Sequence, residues 1–224
     1  MSASADSLTT KGEVHRVGRR LSLDRRDGIA FVGLLAAILL AYCSLWLYQY
    51  AYLDDYFWLD LSRRSPADLF GPQIVQGRPL NGVILQKVFS LAGTIAALRW
   101  VRALILCEMA VLGWMLYRAL RRGGWNWTEA ALLGALACFL PALQVYAAWA
   151  DSVAVPLSAI AACAAALLTG RALDDLRRGA WMLIAAAGLM LVSATIYQPT
   201  AMVFWPVAAI DLLGSEGKKR TWLR

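Results

Sequence analysis

From Gly28 to Leu53 the chain runs 26 residues without a charge, and no other feature constrains its fold so firmly. A helix that crosses a hydrocarbon core needs roughly 17–25 mostly apolar residues. Comparable apolar runs follow, so the sequence predicts a polytopic membrane protein. Composition agrees. The 224 residues are 60% hydrophobic and 17% charged, with a mean hydropathy of +0.54, against about 45–50% apolar and about 25% charged in soluble domains. Disorder, coiled coil and collagen are excluded. The only histidine, His15, lies in a polar N-terminal tail, which argues against a histidine-based hydrolase and a histidine zinc site. Cys43, Cys107, Cys138 and Cys163 fall one in each of the first four apolar runs with no C-x-x-C spacing. They read as small apolar residues rather than disulfides or metal ligands.

Length and charge placement predict six spans: Ile29–Tyr50, Val101–Tyr117, Trp127–Trp149, Ser152–Gly170, Gly179–Ile196 and Thr200–Gly214. The last is short at 15 residues, a half-span or one that tilts little. Of the 22 lysines and arginines, 16 lie in residues 1–28, near 118–124, near 171–178 and in the C-terminal tail. The positive-inside rule places that side in the cytoplasm, with both termini inside. The same scatter argues against nucleic acid as a partner, because the arginines are not gathered on one face. The N-terminal apolar run is longer than a signal peptide's and reads as an anchor.

The resulting fold class is an all-α transmembrane bundle of about six spans. Basic tails cover residues 1–28 and 215–224, and a membrane domain covers 29–214. Its large external loop, 51–100, exceeds the length at which loops usually carry function or are disordered. Tyr52, Tyr56, Phe57, Trp58, Phe70, Phe89 and Trp100 make it too aromatic for disorder. Ser65-Pro66-Ala67-Asp68 predicts a helix start, with Gly71-Pro72 as its breaker. Pro79 opens a second helix. Its apolar side carries Leu80, Ile84, Leu85, Val88, Phe89, Leu91 and Ile95, its polar side Gln86, Lys87, Ser90 and Thr94; Asn81 and Val83 break the pattern. An interfacial helix fits, with a buried core helix as the alternative.

Chemistry-bearing residues gather at the outer ends of the spans. Asp54 and Asp55 follow the first span directly. Two adjacent carboxylates at an apolar mouth suit a general base, and neighbouring residues point about 100° apart on a helix, so they should hold different roles. A solvated helix end is the equal alternative. In Gln76-Gly77-Arg78-Pro79-Leu80 the glycine permits close backbone approach and the arginine offers a planar fork to a phosphate oxygen, with a headgroup contact before a helix as the bland reading. In Ile196-Tyr197-Gln198-Pro199 the tyrosine and glutamine suit sugar hydroxyls, with an aromatic-belt tyrosine as the bland reading. Arg99, Arg102, Glu108 and Asp151 complete the set. Arg102 and Glu108 are poorly placed to pair along one helix, Glu108 needs a partner, a wet cavity or a proton within its span, and Asp151 reads equally as a helix N-cap.

The order of these elements resembles the bacterial glucosyltransferase family that decorates O-antigen during serotype conversion, part of the GT-C class of integral-membrane glycosyltransferases. The resemblance rests on Asp54-Asp55-Tyr56 after a first span, Gln76 to Leu80, and Ile196 to Gln198, and covers about Ile29 to Leu213. It implies transfer of a sugar, glucose in that family, from a polyprenyl phosphate to a glycan acceptor outside the bacterial cytoplasmic (inner) membrane. Asp54 would deprotonate the acceptor hydroxyl, and Asp55 would orient the acceptor or an arginine. Arg78, with Arg99 or Arg102 in reserve, would stabilise the departing lipid phosphate. Gln76, Tyr56, Tyr197 and Gln198 would bind substrate, and the helix after Pro79 would help form a groove for the prenyl chain. No cofactor is implied, and a divalent metal stays open. Family members are longer, so the resemblance implies a fragment, a truncated relative, or a half that needs a partner chain supplying further spans. The alternative is a non-catalytic membrane protein, a lipid-linked sugar flippase or scaffold subunit, resting on Glu108 and Arg102.

Overall fold

The structure, a computed structural model, describes residues 25–221 apart from 66, 67, 69 and 175. Residues 1–24 of the expected N-terminal tail and 222–224 of the C-terminal one lie outside the described residues, as do Pro66 and Ala67 of the first expected loop helix. Every regular element among the described residues is helical. The order is α1 (Arg25–Ala41), α2 (Cys43–Leu47), α3 (Leu53–Arg64), α4 (Phe70–Val75), α5 (Pro79–Ala92), α6 (Ile95–Arg122), α7 (Trp127–Cys138) and α8 (Pro141–Ala148). A 3₁₀ turn (Ala150–Val153) then leads into α9 (Ala154–Asp174), α10 (Leu176–Ile196), α11 (Gln198–Ala201) and α12 (Phe204–Thr221).

Helix α6 is the axis of the bundle. Its 28 residues reach about 42 Å at about 1.5 Å per residue. Leu98, Ile105, Leu106 and Met109 form a fully buried stripe at helical spacing. Helices α1, α2, α7, α8, α9 and α12 all pack on it. At its crossing with α7 two glycines face each other. A Cβ on Gly113 would lie 2.6 Å from Cys138 Sγ, and one on Gly134 would lie 2.7 Å from the Gly113 carbonyl oxygen. Backbones therefore touch there, as small residues allow in membrane bundles.

Among the described residues two segments are long and apolar enough to cross a membrane: Ala150–Leu173, formed by the 3₁₀ turn and α9, and Gly179–Ile196 of α10. The first is 61% buried inside the bundle and the second 22%, so α10 is an outer wall. Its exposed face carries Trp181, Leu183, Ile184 and Leu191. A third candidate is the α7 and α8 pair, which is bent by 55°.

That bend corrects the continuous span expected over Trp127–Trp149. Pro141 lacks an N–H and its ring would meet the carbonyl four residues back, so the helix stops at Cys138 and restarts with Pro141 in its first turn. The expected first span is also divided. α1 stops at Ala41, and Tyr42, at the break before α2, stacks on Phe139 at the α7–α8 bend with ring centroids 5.8 Å apart. The expected last span is split at Met202–Val203 between α11 and α12. Gly71-Pro72, expected to end a helix, sit instead in the first turn of α4, where a missing N–H costs nothing.

Helix α5 begins at Pro79 as expected and ends at Gly93, whose φ of 59° is left-handed. Asn81, Leu85 and Phe89, four residues apart, are buried, and the helix packs on α3, α6 and α10. Leu91, assigned to the apolar side, is 86% exposed. The inward stripe thus runs through Asn81, which the apolar pattern had treated as an interruption.

Replacing Gly134 by alanine should overpack the α6–α7 crossing and destabilise the bundle by about 1–3 kcal/mol. Gly188→Ala, in open space on α10, should be neutral or stabilising. Thermal unfolding of the detergent-solubilised chain separates the two, and equal behaviour would mean the crossing is looser than this packing.

Candidate functional site

The site is built where α3 begins. Tyr52, in extended conformation, precedes the helix, and its backbone N–H donates to Asp55 Oδ2 at 3.1 Å, the return half of a capping box. This fixes Asp55 on the inner side of the first turn, and its neighbour Asp54 points elsewhere.

Asp55 and Arg102 are both fully buried and paired, Nη2 to Oδ2 at 2.7 Å. Asp55 Oδ1 accepts the backbone N–H groups of Ala150 at 3.0 Å and Asp151 at 3.3 Å. Arg102 donates from Nε to the Ala148 carbonyl at 2.8 Å and from Nη1 to the Tyr50 carbonyl at 2.9 Å. Its guanidinium lies 3.9 Å from the Tyr50 ring centroid. The pair therefore closes two broken helix ends at once. The arginine takes the last carbonyl of α8, and the aspartate caps the amides of the following turn.

With Asp55 so engaged, Asp54 is the free member of the doublet: it has no hydrogen-bond or ion-pair partner among the described residues. Asp54 lines a cavity of about 440 Å³ together with Trp58, Gln76, Arg78, Asn81, Tyr146, Trp149, Asp151 and Tyr197. The Gln76 to Arg78 turn reaches it through Gly77, whose φ of 73° is left-handed. Gln198 Nε2 donates to the Gly77 carbonyl at 2.8 Å, and Arg78 Nε donates back to Gln198 Oε1 at 3.3 Å. Arg78 Nη1 donates to Gln76 Oε1 at 3.2 Å, and the guanidinium lies 4.4 Å from the Tyr197 ring centroid. The two short motifs expected to bind substrate are thus clipped to each other. Beneath them Thr200 Oγ1 donates to Ser158 Oγ at 2.8 Å, which is 3.1 Å from the Tyr197 carbonyl, holding this turn to α9.

No family model, curated protein or solved structure matches the chain. Function has to be read from the geometry.

Of the residues singled out in the sequence, the cavity gathers Asp54, Gln76, Arg78 and Tyr197, with Gln198 holding Arg78 from behind. Asp55 and Arg102 stand beside it as a closed pair, so Arg102 is not free to receive a phosphate. Arg99 stacks near Trp100 at 5.0 Å and does not line the cavity. Tyr56 is half exposed and turned away from it. Glu108 lies lower on α6 with Oε2 unpartnered. No group of three or more His, Cys, Asp or Glu among the described residues is placed to hold a metal ion.

Among the lining residues not assigned to a site from sequence are Asn81, Tyr146, Trp149 and Trp58. The signal for Asn81 was its place in an apolar stripe. Asp151, left between cap and site, is both in the turn that Asp55 caps and on the cavity wall. Its carboxylate accepts from Ser152 Oγ at 3.3 Å.

The arrangement offers an unpaired carboxylate and a positioned guanidinium on one cavity, bounded by aromatic faces. A base and an anion receptor are the chemistry it supports. The buried pair beside it is structural. Asp55→Asn or Arg102→Leu should each destabilise the fold by about 3–5 kcal/mol, because the partner is left as an uncompensated buried charge. The double replacement should cost less than the sum of the two singles, measured as a double-mutant cycle on thermal or denaturant unfolding.

Proposed function

We propose that the chain is an integral-membrane glycosyltransferase, or its catalytic module, moving a sugar from a polyprenyl phosphate to a glycan on the outer side of the bacterial cytoplasmic membrane. The observation that carries this reading is the placement of the unpartnered Asp54 and of Arg78 on one cavity beside the capped start of the membrane segment Ala150–Leu173. A second, apolar groove of about 390 Å³ lies between Phe70, Pro79, Leu80, Val83, Leu191, Val192 and Thr195. Pro79 belongs to it and Arg78 to the cavity, so a lipid chain in the groove brings its phosphate to the arginine.

In this reaction Asp54 takes the proton of an acceptor hydroxyl. The acceptor oxygen forms a bond to the anomeric carbon, and the bond from that carbon to the phosphate oxygen breaks with inversion. The electron pair stays on the leaving polyprenyl phosphate, and Arg78 receives the developing charge through charge-assisted hydrogen bonds. Tyr197 and Gln198 hold the arginine in place, and glucose is the sugar by resemblance. The membrane arrangement is six crossings with both termini cytoplasmic, and the α7–α8 bend lies within the third. The flippase or scaffold alternative leaned on Arg102 and Glu108. Arg102 has all three of its nitrogens engaged, which weakens that reading.

Asp54→Asn should lower transfer from a polyprenyl-phosphate glucose by about 10²–10⁴-fold, the usual contribution of a general base, with the fold intact. Full activity in this variant overturns the base assignment. Orientation is checked separately in a cysteine-free background. A cysteine at Lys87 should react with a membrane-impermeant maleimide in intact cells, and one at Arg171 only after permeabilisation. The reverse pattern overturns the topology.

A further inference from the structure

Besides Arg78 the cavity is lined by the acceptor side chains of Asp54, Asp151 and Asn81. Among the described residues Asp54 has no hydrogen-bond or ion-pair partner, and the Asp151 carboxylate accepts from the neutral hydroxyl of Ser152. Asn81 is 7% exposed, its Nδ2 donates to Gln73 Oε1 at 2.9 Å, and its Oδ1 has no partner. A buried carbonyl oxygen left without a donor costs about 1–3 kcal/mol, and this one belongs to a side chain that lines the cavity. Arg102, the nearest buried cation, is spent on Asp55. A ligand that completes the wall must therefore bring its own hydrogen-bond donors. Flat faces at Trp149 and Tyr146 on the same cavity suit the C–H surface of a sugar ring.

We propose that Asp151 and Asn81 form a hydroxyl-reading wall that fixes the transferred sugar ring of the lipid donor, while Arg78 fixes its phosphate. The inference deepens the glycosyl-transfer reading and rests on it. It gives the Asp55–Arg102 pair a second consequence. Asp55 holds the backbone N–H of Asp151, so the pair sets where this wall stands relative to Asp54. Asp151 and Asn81 are binding and specificity residues, and Asp54 remains the base.

The test is equilibrium binding to the full chain in lipid nanodiscs, with two probes: decaprenyl phosphate and its glucosyl ester, decaprenyl phosphate glucose. The wild type should bind the glucosylated lipid at least about tenfold more tightly, the worth of one hydrogen bond to a charged group. Asp151→Ala and Asn81→Ala should each reduce that preference, and together abolish it, with the affinity for decaprenyl phosphate unchanged. Arg78→Ala should weaken both lipids alike. The ratio of two affinities does not depend on the fraction of protein that folds, so a poorly expressed variant still reports. Retention of the wild-type ratio in both single variants and the double, or a wild type that binds both lipids equally, overturns the wall and leaves the transfer reading standing. Binding of neither lipid by the wild type overturns the transfer reading and the wall with it.

Discussion

The pairing of Asp55 with Arg102 is the contact on which the outer half of the bundle depends. Burying either charge alone would cost several kcal/mol, and attraction between them repays this only when the remaining donors and acceptors are also satisfied. Here they are. Asp55 receives three backbone amides and one guanidinium nitrogen, and Arg102 gives to two carbonyls and one carboxylate. The groups it serves are ones the fold would otherwise strand. The chain leaves α8 at Ala148 and re-enters helical structure at Ala150, exposing carbonyls at one end and amides at the other. In an apolar setting such backbone groups need partners, and a cation for the first with an anion for the second also matches the two helix dipoles.

The other end of the bundle uses the same device with different members. Asp27 on α1 accepts from Arg118 Nη1 at 2.6 Å and from Tyr117 Oη at 2.8 Å, both on α6. Arg122 pairs with Asp211 of α12 at 3.5 Å. Arg118 and Arg122 thus tie α1 and α12 to the axis helix α6. The two ends differ in what they leave over. Aromatic and acidic groups surround the cavity, with Arg78 as its cation, whereas the opposite end carries Arg118, Arg121, Arg122 and Arg171. The cavity end thus sets one arginine among carboxylates and aromatic rings.

Much of this was legible in the sequence, and the part that was not has identifiable causes. Apolar run lengths placed most helices, because the need to bury or lipidate a long uncharged stretch dominates local preference. Pro79 and Gly93 bounded α5 through backbone chemistry that operates wherever they occur. Helix breaks were harder. Pro141 was visible in the middle of an apolar run, yet whether a proline kinks or ends a helix depends on what receives the freed carbonyls. The Gly71-Pro72 pair misled because the same dipeptide stops a helix at its end and starts one at its beginning. In the site, the doublet, the Gln76 to Arg78 turn and the Tyr197-Gln198 turn were each readable as short motifs. Their meeting was not, because residues 120 apart are joined by Gln198 bonding to the turn at Gly77 and Arg78. The division of labour between Asp54 and Asp55 was set by Arg102, whose facing direction on α6 no local pattern reveals.

That division explains why two aspartates stand side by side. A single carboxylate cannot both cap the turn at Ala150 and present a free oxygen to a ligand, since capping and ion pairing use up its lone pairs. Adjacent helical positions point about 100° apart, which sends one carboxylate into the bundle and leaves the other on the cavity wall. The buried member then determines the setting of the exposed one, because both ride on the first turn of α3, and the same buried member holds the amide of Asp151. Three carboxylates are thereby kept close together with a single arginine among them neutralised, an arrangement that local electrostatics alone would disfavour. Departures from locally optimal pairing are expected where a fold gives up stability for function; Asn81 Oδ1 is one such departure on the cavity that Arg78 also lines, while Arg99 Nε and Glu108 Oε2 are two others outside it.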